Sequence, residues 1–122
     1  MGDTAPAVAV FGSSEPAEES PEYIEAFEVG RLLAESGFAV LNGGYGGVME
    51  GASRGASEAG GAALGVTCAS FADRRPNPFL TETREAPDLV ARMGSLVDTA
   101  SGYIVLHGKS GTLAELTLVW AL

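Results

Sequence analysis

The sequence predicts an α/β fold: a parallel sheet covered by helices on both faces. Three observations predict it. Short apolar runs alternate with helix-like stretches, in units of about 25 to 30 residues. The runs are continuous rather than alternating, as in strands buried on both faces. Three of them lead into glycine-bearing loops, at residues 12–14, 42–47 and 107–111.

The elements follow in order. Residues 7–11 (AVAVF) form the first buried strand, cut off by Gly12-Ser13-Ser14. Residues 15–20 are acidic and polar, a loop. Ser20 before Pro21 pairs an N-cap with an N1 residue. From there Tyr23, Ala26, Phe27, Gly30, Leu33 and Ala34 draw one apolar helical stripe, and Gly37 ends the helix. Residues 38–41 (FAVL) are the second strand. A helix runs from Val48 to about Ala59, with Gly51, Ala52, Gly55, Ala56 and Ala59 at close intervals. These small residues let its backbone lie close to a sheet or a partner. Gly60-Gly61 ends it, and residues 62–67 (AALGVT) are the third strand. Residues 69–78 are a turn-rich connection, and residues 79–84 read as a short strand. Pro87-Asp88 starts a helix reaching about Ala100. Residues 103–106 (YIVL) are a further buried strand, and residues 112–122 a last helix.

The chain has 122 residues, which bounds it to one domain over 1–122. Hydrophobic residues make up 46% and charged residues 19%, a globular composition. Seven Lys and Arg stand against 16 Asp and Glu, net −9. Such a surface repels nucleic acid and anionic membrane, whose affinity comes from clustered basic residues. A single cysteine, Cys68, cannot form an internal disulfide. No apolar run reaches the ~18 residues of a membrane span, and the N-terminus lacks the basic stretch and apolar core of a secretory signal. Pro6 stands where a myristoylation signal wants Ser or Thr. The expectation is a cytoplasmic protein. The chain stops at its last predicted helix with no final strand, which suggests a shortened or truncated member of its fold.

In open parallel sheets, ligands bind at the carboxyl ends of the strands, where all three glycine loops fall. A helix N-terminus offers unpaired N–H groups and a positive dipole end. The starts of the helices at Val48 and Thr112 are therefore expected to converge on one anion pocket. The loops match neither the dinucleotide fingerprint nor the P-loop: Gly108-Lys109-Ser110 has Tyr103, not glycine, five residues before Gly108. A tight strand-to-helix turn is the ordinary alternative for each loop taken singly. Thr112-x-x-Glu115 has two readings: a capping box, or a carboxylate aimed at a sugar beside the phosphate. Arg92 also has two readings. One is a surface pair with Asp88 four residues earlier, and the other is a place in the catalytic machinery.

LNGGYGGVMEGASRGASEAGG (residues 41–61) resembles the first signature of the LOG-like family, once called lysine decarboxylase-like, in the branch with a GGxxGVME pattern. HGKSGTLAE (residues 107–115) resembles its second signature, PGGxGTxxE. VFGSS (residues 10–14) is similar to the opening strand and loop, and ARM (residues 91–93) falls where the family carries its arginine. The similarity covers residues 7–121. It implies a modified Rossmann fold, usually a homodimer, binding a small-molecule nucleotide. Well-studied members hydrolyse the N-glycosidic bond of nucleoside 5′-monophosphates, notably N6-substituted AMP, to free base and ribose 5-phosphate. The resemblance makes Arg92 and Glu115 the catalytic pair. It puts the phosphate on Gly108, Ser110, Gly111 and Thr112, with Lys109 beside them and with help from Gly43 and Gly44. Gly12, Ser13, Gly47 and Met49 complete the nucleotide site.

The chemistry is consistent. Breaking an N-glycosidic bond develops positive charge on the ribose, which a carboxylate stabilises while it orients water. An arginine neutralises phosphate or holds the carboxylate. No cofactor is implied and no metal, since one histidine, His107, and one cysteine, Cys68, make no Cys/His cluster.

The sequence also departs from the family. His107 replaces proline and Lys109 replaces glycine; Lys109 either crowds the phosphate or adds a charge to it, unless it is a solvated loop lysine. Met93 stands where hydrolytic members often have Lys or Asn, and Glu50 follows Met49 as in the GGxxGVME branch. Some relatives bind a nucleotide-like ligand or carry molybdenum cofactor without clear hydrolysis. A non-catalytic nucleotide or cofactor carrier is therefore the second functional reading. Lysine decarboxylation is excluded, because Lys109 is the only lysine and has no pyridoxal phosphate context.

Overall fold

A computed structural model describes residues 5–71 and 73–106. The glycine loop at 107–111 and the helix predicted over 112–122 lie outside the described residues. The elements are β1 (Ala7–Phe11), α1 (Pro21–Glu35), β2 (Ala39–Asn42), α2 (Val48–Glu58), β3 (Ala63–Cys68), β4 (Glu82–Ala86), α3 (Leu89–Thr99) and β5 (Gly102–Val105). A short 3-10 turn at Ala69–Phe71 follows β3.

All strands pair in parallel, in the order β4-β3-β2-β1-β5. This is the predicted α/β class. Every residue of β1 and β2 is buried, as their unbroken apolar runs imply.

The start signals act as read. The Ser20 hydroxyl accepts the Tyr23 N–H at 3.2 Å with Pro21 in the first turn. The Asp88 carboxylate accepts the Ala91 N–H at 2.8 Å and opens α3.

The two layers of helices follow from crossover handedness. Parallel crossovers are right-handed. The path β1 to β2 to β3 steps one way along the sheet, so α1 and α2 share a face. There Val10, Val40 and Ala63 pack with Ala26, Val48, Ala52 and Ala56. The path from β4 back to β5 steps the other way, so α3 lies on the opposite face. Leu96 there packs with Ala9, Phe11, Leu41 and Val66.

The small-residue stripe of α2 is occupied within the chain. A Cβ at Gly55 would lie 2.0 Å from the Phe27 carbonyl oxygen on α1, so α1 is the partner that requires the glycine.

Two strands differ from expectation. The fourth is Glu82–Ala86, not residues 79–84. The Asn77 side chain accepts the Phe79 N–H at 3.0 Å, which holds that stretch in a turn. Pairing begins only after the Thr81 N–H meets the Ala63 carbonyl at 2.7 Å. The strand at 102–105 is half-buried rather than fully buried, with Tyr103 38% and Val105 40% exposed. It pairs with β1 on one side and forms an edge of the described sheet.

β1 and β5 are neighbours although the chain leaves β1 in one direction and returns from the other. Their junction is the topological switch point, where open α/β sheets bind ligands. The loop after β1 and the exit of β5 flank it.

Candidate functional site

The site is built on Asn42, the last residue of β2, which is fully buried. Its Nδ2 donates to the Met49 carbonyl at 3.1 Å and to Ser53 Oγ at 2.8 Å. Its Oδ1 accepts the Gly44 N–H at 2.7 Å. One side chain thus fixes the loop at 43–47 against the start of α2. The loop after β1 is tied in as well. The Ser13 carbonyl accepts the Val48 N–H at 2.9 Å, and Ser13 Oγ accepts the Glu15 N–H at 3.1 Å. Gly47 has φ +65°, and a Cβ there would lie 2.4 Å from the Ser13 oxygen, so only glycine permits this approach. The first amide of α2 is therefore occupied by protein.

Arg92 is not the surface partner of Asp88. Asp88 caps α3, whereas Arg92 is 7% exposed and reaches from α3 to the carboxyl ends of two strands. Its Nε donates to the Val66 carbonyl at 2.9 Å and its Nη2 to the Gly43 carbonyl at 3.0 Å. Nη2 also lies 3.9 Å from Met49 Sδ. The guanidinium carbon stands 5.5 Å from the ring centre of Tyr45, a favourable cation–π separation. A buried charge needs such satisfaction.

Tyr45 joins this clamp to the connection after β3. Its hydroxyl accepts the Cys68 N–H at 2.9 Å and donates to the Cys68 carbonyl at 3.3 Å. Its ring meets Phe71 edge-on at 5.8 Å. Asn77 pins the connection to the glycine loop: its N–H donates to the Gly44 carbonyl at 2.8 Å and its Nδ2 to the Tyr45 carbonyl at 2.9 Å. Arg74 lies over Phe71 at 4.9 Å and Tyr45 at 5.7 Å. Next to it is an open cleft of about 260 Å³, lined by Ser14, Tyr45, Gly46, Arg74 and Arg75.

Among the predicted residues, the structure brings Ser13, Gly43, Gly44, Gly47, Met49 and Arg92 into one cluster. Gly12 lies on the adjoining loop after β1. Gly108, Lys109, Ser110, Gly111, Thr112, Glu115 and His107 lie outside the described residues. Glu50 turns away from the cluster and accepts the Tyr23 hydroxyl at 2.8 Å. Burial is the main cause that pushes the Tyr23 phenol up to about 12, with the Glu50 carboxylate adding to it.

Ser14, Tyr45 and Gly46 belong to the predicted ligand-binding glycine loops without being named as site residues, and Arg74 and Arg75 lie in the turn-rich connection at 69–78, for which no site was predicted. One signal was available: adjacent arginines among turn residues of an acidic chain, after the carboxyl end of a strand.

The charge distribution sets these arginines apart. Arg31 pairs with Glu28 and Glu35, and Arg54 with Glu18 and Glu58. Arg84 and Arg92 donate hydrogen bonds to Ser95 and to backbone carbonyls, whereas among the described residues the Arg74 and Arg75 side chains take part in no ion pair and no hydrogen bond. What the arrangement offers is a hydrogen-bonded, glycine-lined edge beside an open cleft lined by two arginines, suited to an anion. No group of three or more His, Cys, Asp and Glu side chains among the described residues is placed to hold a metal ion. No helix there is long and apolar enough to cross a membrane.

Comparison with known proteins agrees with this architecture. A solved structural-genomics target, TM1055, is 33% identical with a TM-score of 0.84, over 95% of this chain and 69% of that one. The molybdenum cofactor binding protein of Rippkaea orientalis is 30% identical with a TM-score of 0.83, over 95% of this chain and 71% of that one. The molybdenum cofactor carrier protein of Chlamydomonas reinhardtii is 27% identical with a TM-score of 0.81, with the same coverage of 95% and 71%. The model of the SLOG cluster4 family matches residues 5–122. With that match over nearly its whole length, on a Rossmann-like sheet, the chain belongs to the SLOG cluster4 family.

Proposed function

We propose that this domain binds a phosphorylated small molecule of the nucleotide or pterin-cofactor class at the carboxyl edge of its sheet, as a binding or carrier module. The observation that carries this reading is the cleft beside the 43–47 loop, with Arg74 and Arg75 on its rim. The likeness to a molybdenum cofactor binding protein and a molybdenum cofactor carrier supports the same class of ligand. That cargo is a phosphorylated pterin and so an anion, and the residues present fit its charged end. A cleft of about 260 Å³ is close to the lower end of small-molecule sites, about 300 to 1,000 Å³.

Hydrolysis of a nucleoside 5′-monophosphate is the second reading, and one observation favours it: Arg92 does arrive at the strand ends where a ligand binds. Against it, two Arg92 donor atoms are engaged by backbone carbonyls, so the residue positions the loop. The GGxxGVME branch of the LOG-like family, a homodimer and a cytoplasmic location belong to the same proposal. The α2 stripe lends the homodimer no support, because α1 occupies it.

One experiment separates the readings. The protein is dialysed to equilibrium against AMP, an N6-substituted AMP and molybdenum cofactor, and the nucleotide samples are chromatographed for free base. Saturable binding without base release is the expected result. Base release that disappears in Glu115→Gln establishes the hydrolase instead, and absence of binding to all three overturns both.

A further inference from the structure

We infer that Arg74 and Arg75, with Ser14 and the Gly46 backbone, form a phosphate subsite that takes an anionic end of the ligand. This deepens the proposed function and rests on that reading.

The subsite is assembled from chain geometry. The Arg74 N–H donates to the Phe71 carbonyl at 2.9 Å, closing a turn. Pro76 follows Arg75 and fixes its own φ. Asn77 then anchors the far side of the pair to Gly44 and Tyr45. The two arginines are thus held between anchors three residues either side of Arg74. The Arg74 guanidinium carbon lies over the Phe71 and Tyr45 rings at 4.9 and 5.7 Å, which holds the group at the cleft it lines, and a guanidinium held there offers donors for a phosphate. Ser14 adds a hydroxyl from the loop after β1.

Electrostatics make the pair conspicuous. The chain carries net −9, and a field of that sign repels small anions everywhere except where positive charge is concentrated. Two adjacent arginines without an ion pair among the described residues supply that concentration. Asp73 and Glu15 adjoin the rim residues in sequence and are exposed to solvent, so the positive charge is local to the two guanidinium groups. The acidic remainder disfavours a nucleic acid, so the phosphate belongs to a small molecule.

The test uses the full chain and inorganic pyrophosphate as probe, followed by calorimetry at low salt. Pyrophosphate binding that weakens at least about tenfold in Arg75→Gln, and is partly restored in Arg75→Lys, is the expected result. Arg75 has no packing role among the described contacts, so this variant folds. Arg84→Gln removes the same charge from β4, where Arg84 donates to Ser95 Oγ, and leaves binding unchanged. No binding up to ~10 mM, or equal weakening in Arg75→Gln and Arg84→Gln, overturns the subsite. ADP distinguishes its failure from that of the function. If ADP binds no tighter than pyrophosphate, the subsite stands and the nucleotide reading falls. If ADP binds equally well to wild type and Arg75→Gln, the subsite falls alone.

Discussion

The position that a Gly43 side chain would fill is occupied by the guanidinium of Arg92. A Cβ built on Gly43 lies 1.7 Å from Arg92 Nη2 and 2.9 Å from Met49 Sδ, while the Gly43 carbonyl accepts from that same Nη2 at 3.0 Å. The glycine of the first signature and the arginine 49 residues later therefore form one structural unit. The absence of a side chain at one makes the hydrogen bond of the other.

Gly43→Ala accordingly expels Arg92 from its seat. Two buried carbonyls, those of Gly43 and Val66, lose their partner, at about 1–3 kcal/mol per unsatisfied group. The expected loss is about 2–4 kcal/mol of unfolding free energy by urea denaturation. Arg92→Ala loses a similar amount. The double variant loses much less than the sum, because each single change already removes the shared interaction. Additive losses would show that the two residues act separately.

Gly47→Ala and Gly60→Ala form a controlled pair. Both glycines have positive φ, +65° and +83°, but nothing lies within 4 Å of a Cβ at Gly60. Gly60→Ala therefore bears only backbone strain, about 1 kcal/mol. At Gly47 the Cβ meets the Ser13 oxygen at 2.4 Å and the Ser14 carbonyl carbon at 2.5 Å, both backbone atoms that cannot swing aside. A loss of about 3 kcal/mol or more is expected there, together with weaker ligand binding as the 12–14 loop is pushed off α2. Equal melting temperatures for the two variants would remove the claim that these loops are locked together.

The sheet was legible in sequence because its central strands are uninterrupted apolar runs ended by glycine and asparagine. The fourth strand is not legible in the sequence, for a definite reason. Glu82, Thr83, Arg84 and Glu85 are exposed, so no apolar period marks them, and backbone pairing to β3 holds them in place. Arg92 lies four residues from Asp88, a spacing that fits a surface pair as well as a buried clamp; only the carbonyls of Gly43 and Val66, distant in sequence, decide between them. Arg74 and Arg75 lie in a loop whose pattern is turn-like, and their value comes from Asn77 pinning that loop beside Tyr45.

Tyr23 predicts an alkaline transition. Its phenol donates to Glu50 at 2.8 Å and is pushed up to about 12 by burial first and by Glu50 in addition. The proton is bound more tightly folded than unfolded, where a phenol titrates near 10. This contribution to stability is fully present below about pH 10 and is lost as pH rises through about 12. Ultraviolet titration of phenolate should show a step near pH 12 that disappears in Tyr23→Phe. Urea stability of that variant should fall less steeply above pH 10. A variant with an unchanged step would assign it elsewhere.

Gly55→Ala and Gly94→Ala should move stability in opposite directions, although both glycines lie inside helices. Helix propensity alone favours alanine over glycine by about 0.8–1.0 kcal/mol at each. At Gly94, in α3, a Cβ meets nothing within 4 Å, so the propensity gain of about 0.5–1 kcal/mol is realised. At Gly55, in α2, a Cβ lies 2.0 Å from the Phe27 oxygen and 2.9 Å from the Arg31 nitrogen. Alanine there forces α1 away from α2 and opens the layer in which Ala26, Ala52 and Ala56 are buried. Overpacking of this kind costs about 1–3 kcal/mol, which exceeds the propensity gain and reverses the sign. Thermal melting of the two variants decides the matter: a rise for Gly94→Ala and a fall for Gly55→Ala is the expected pair. A rise in both would mean that α1 and α2 stand further apart than the Gly55 contact requires.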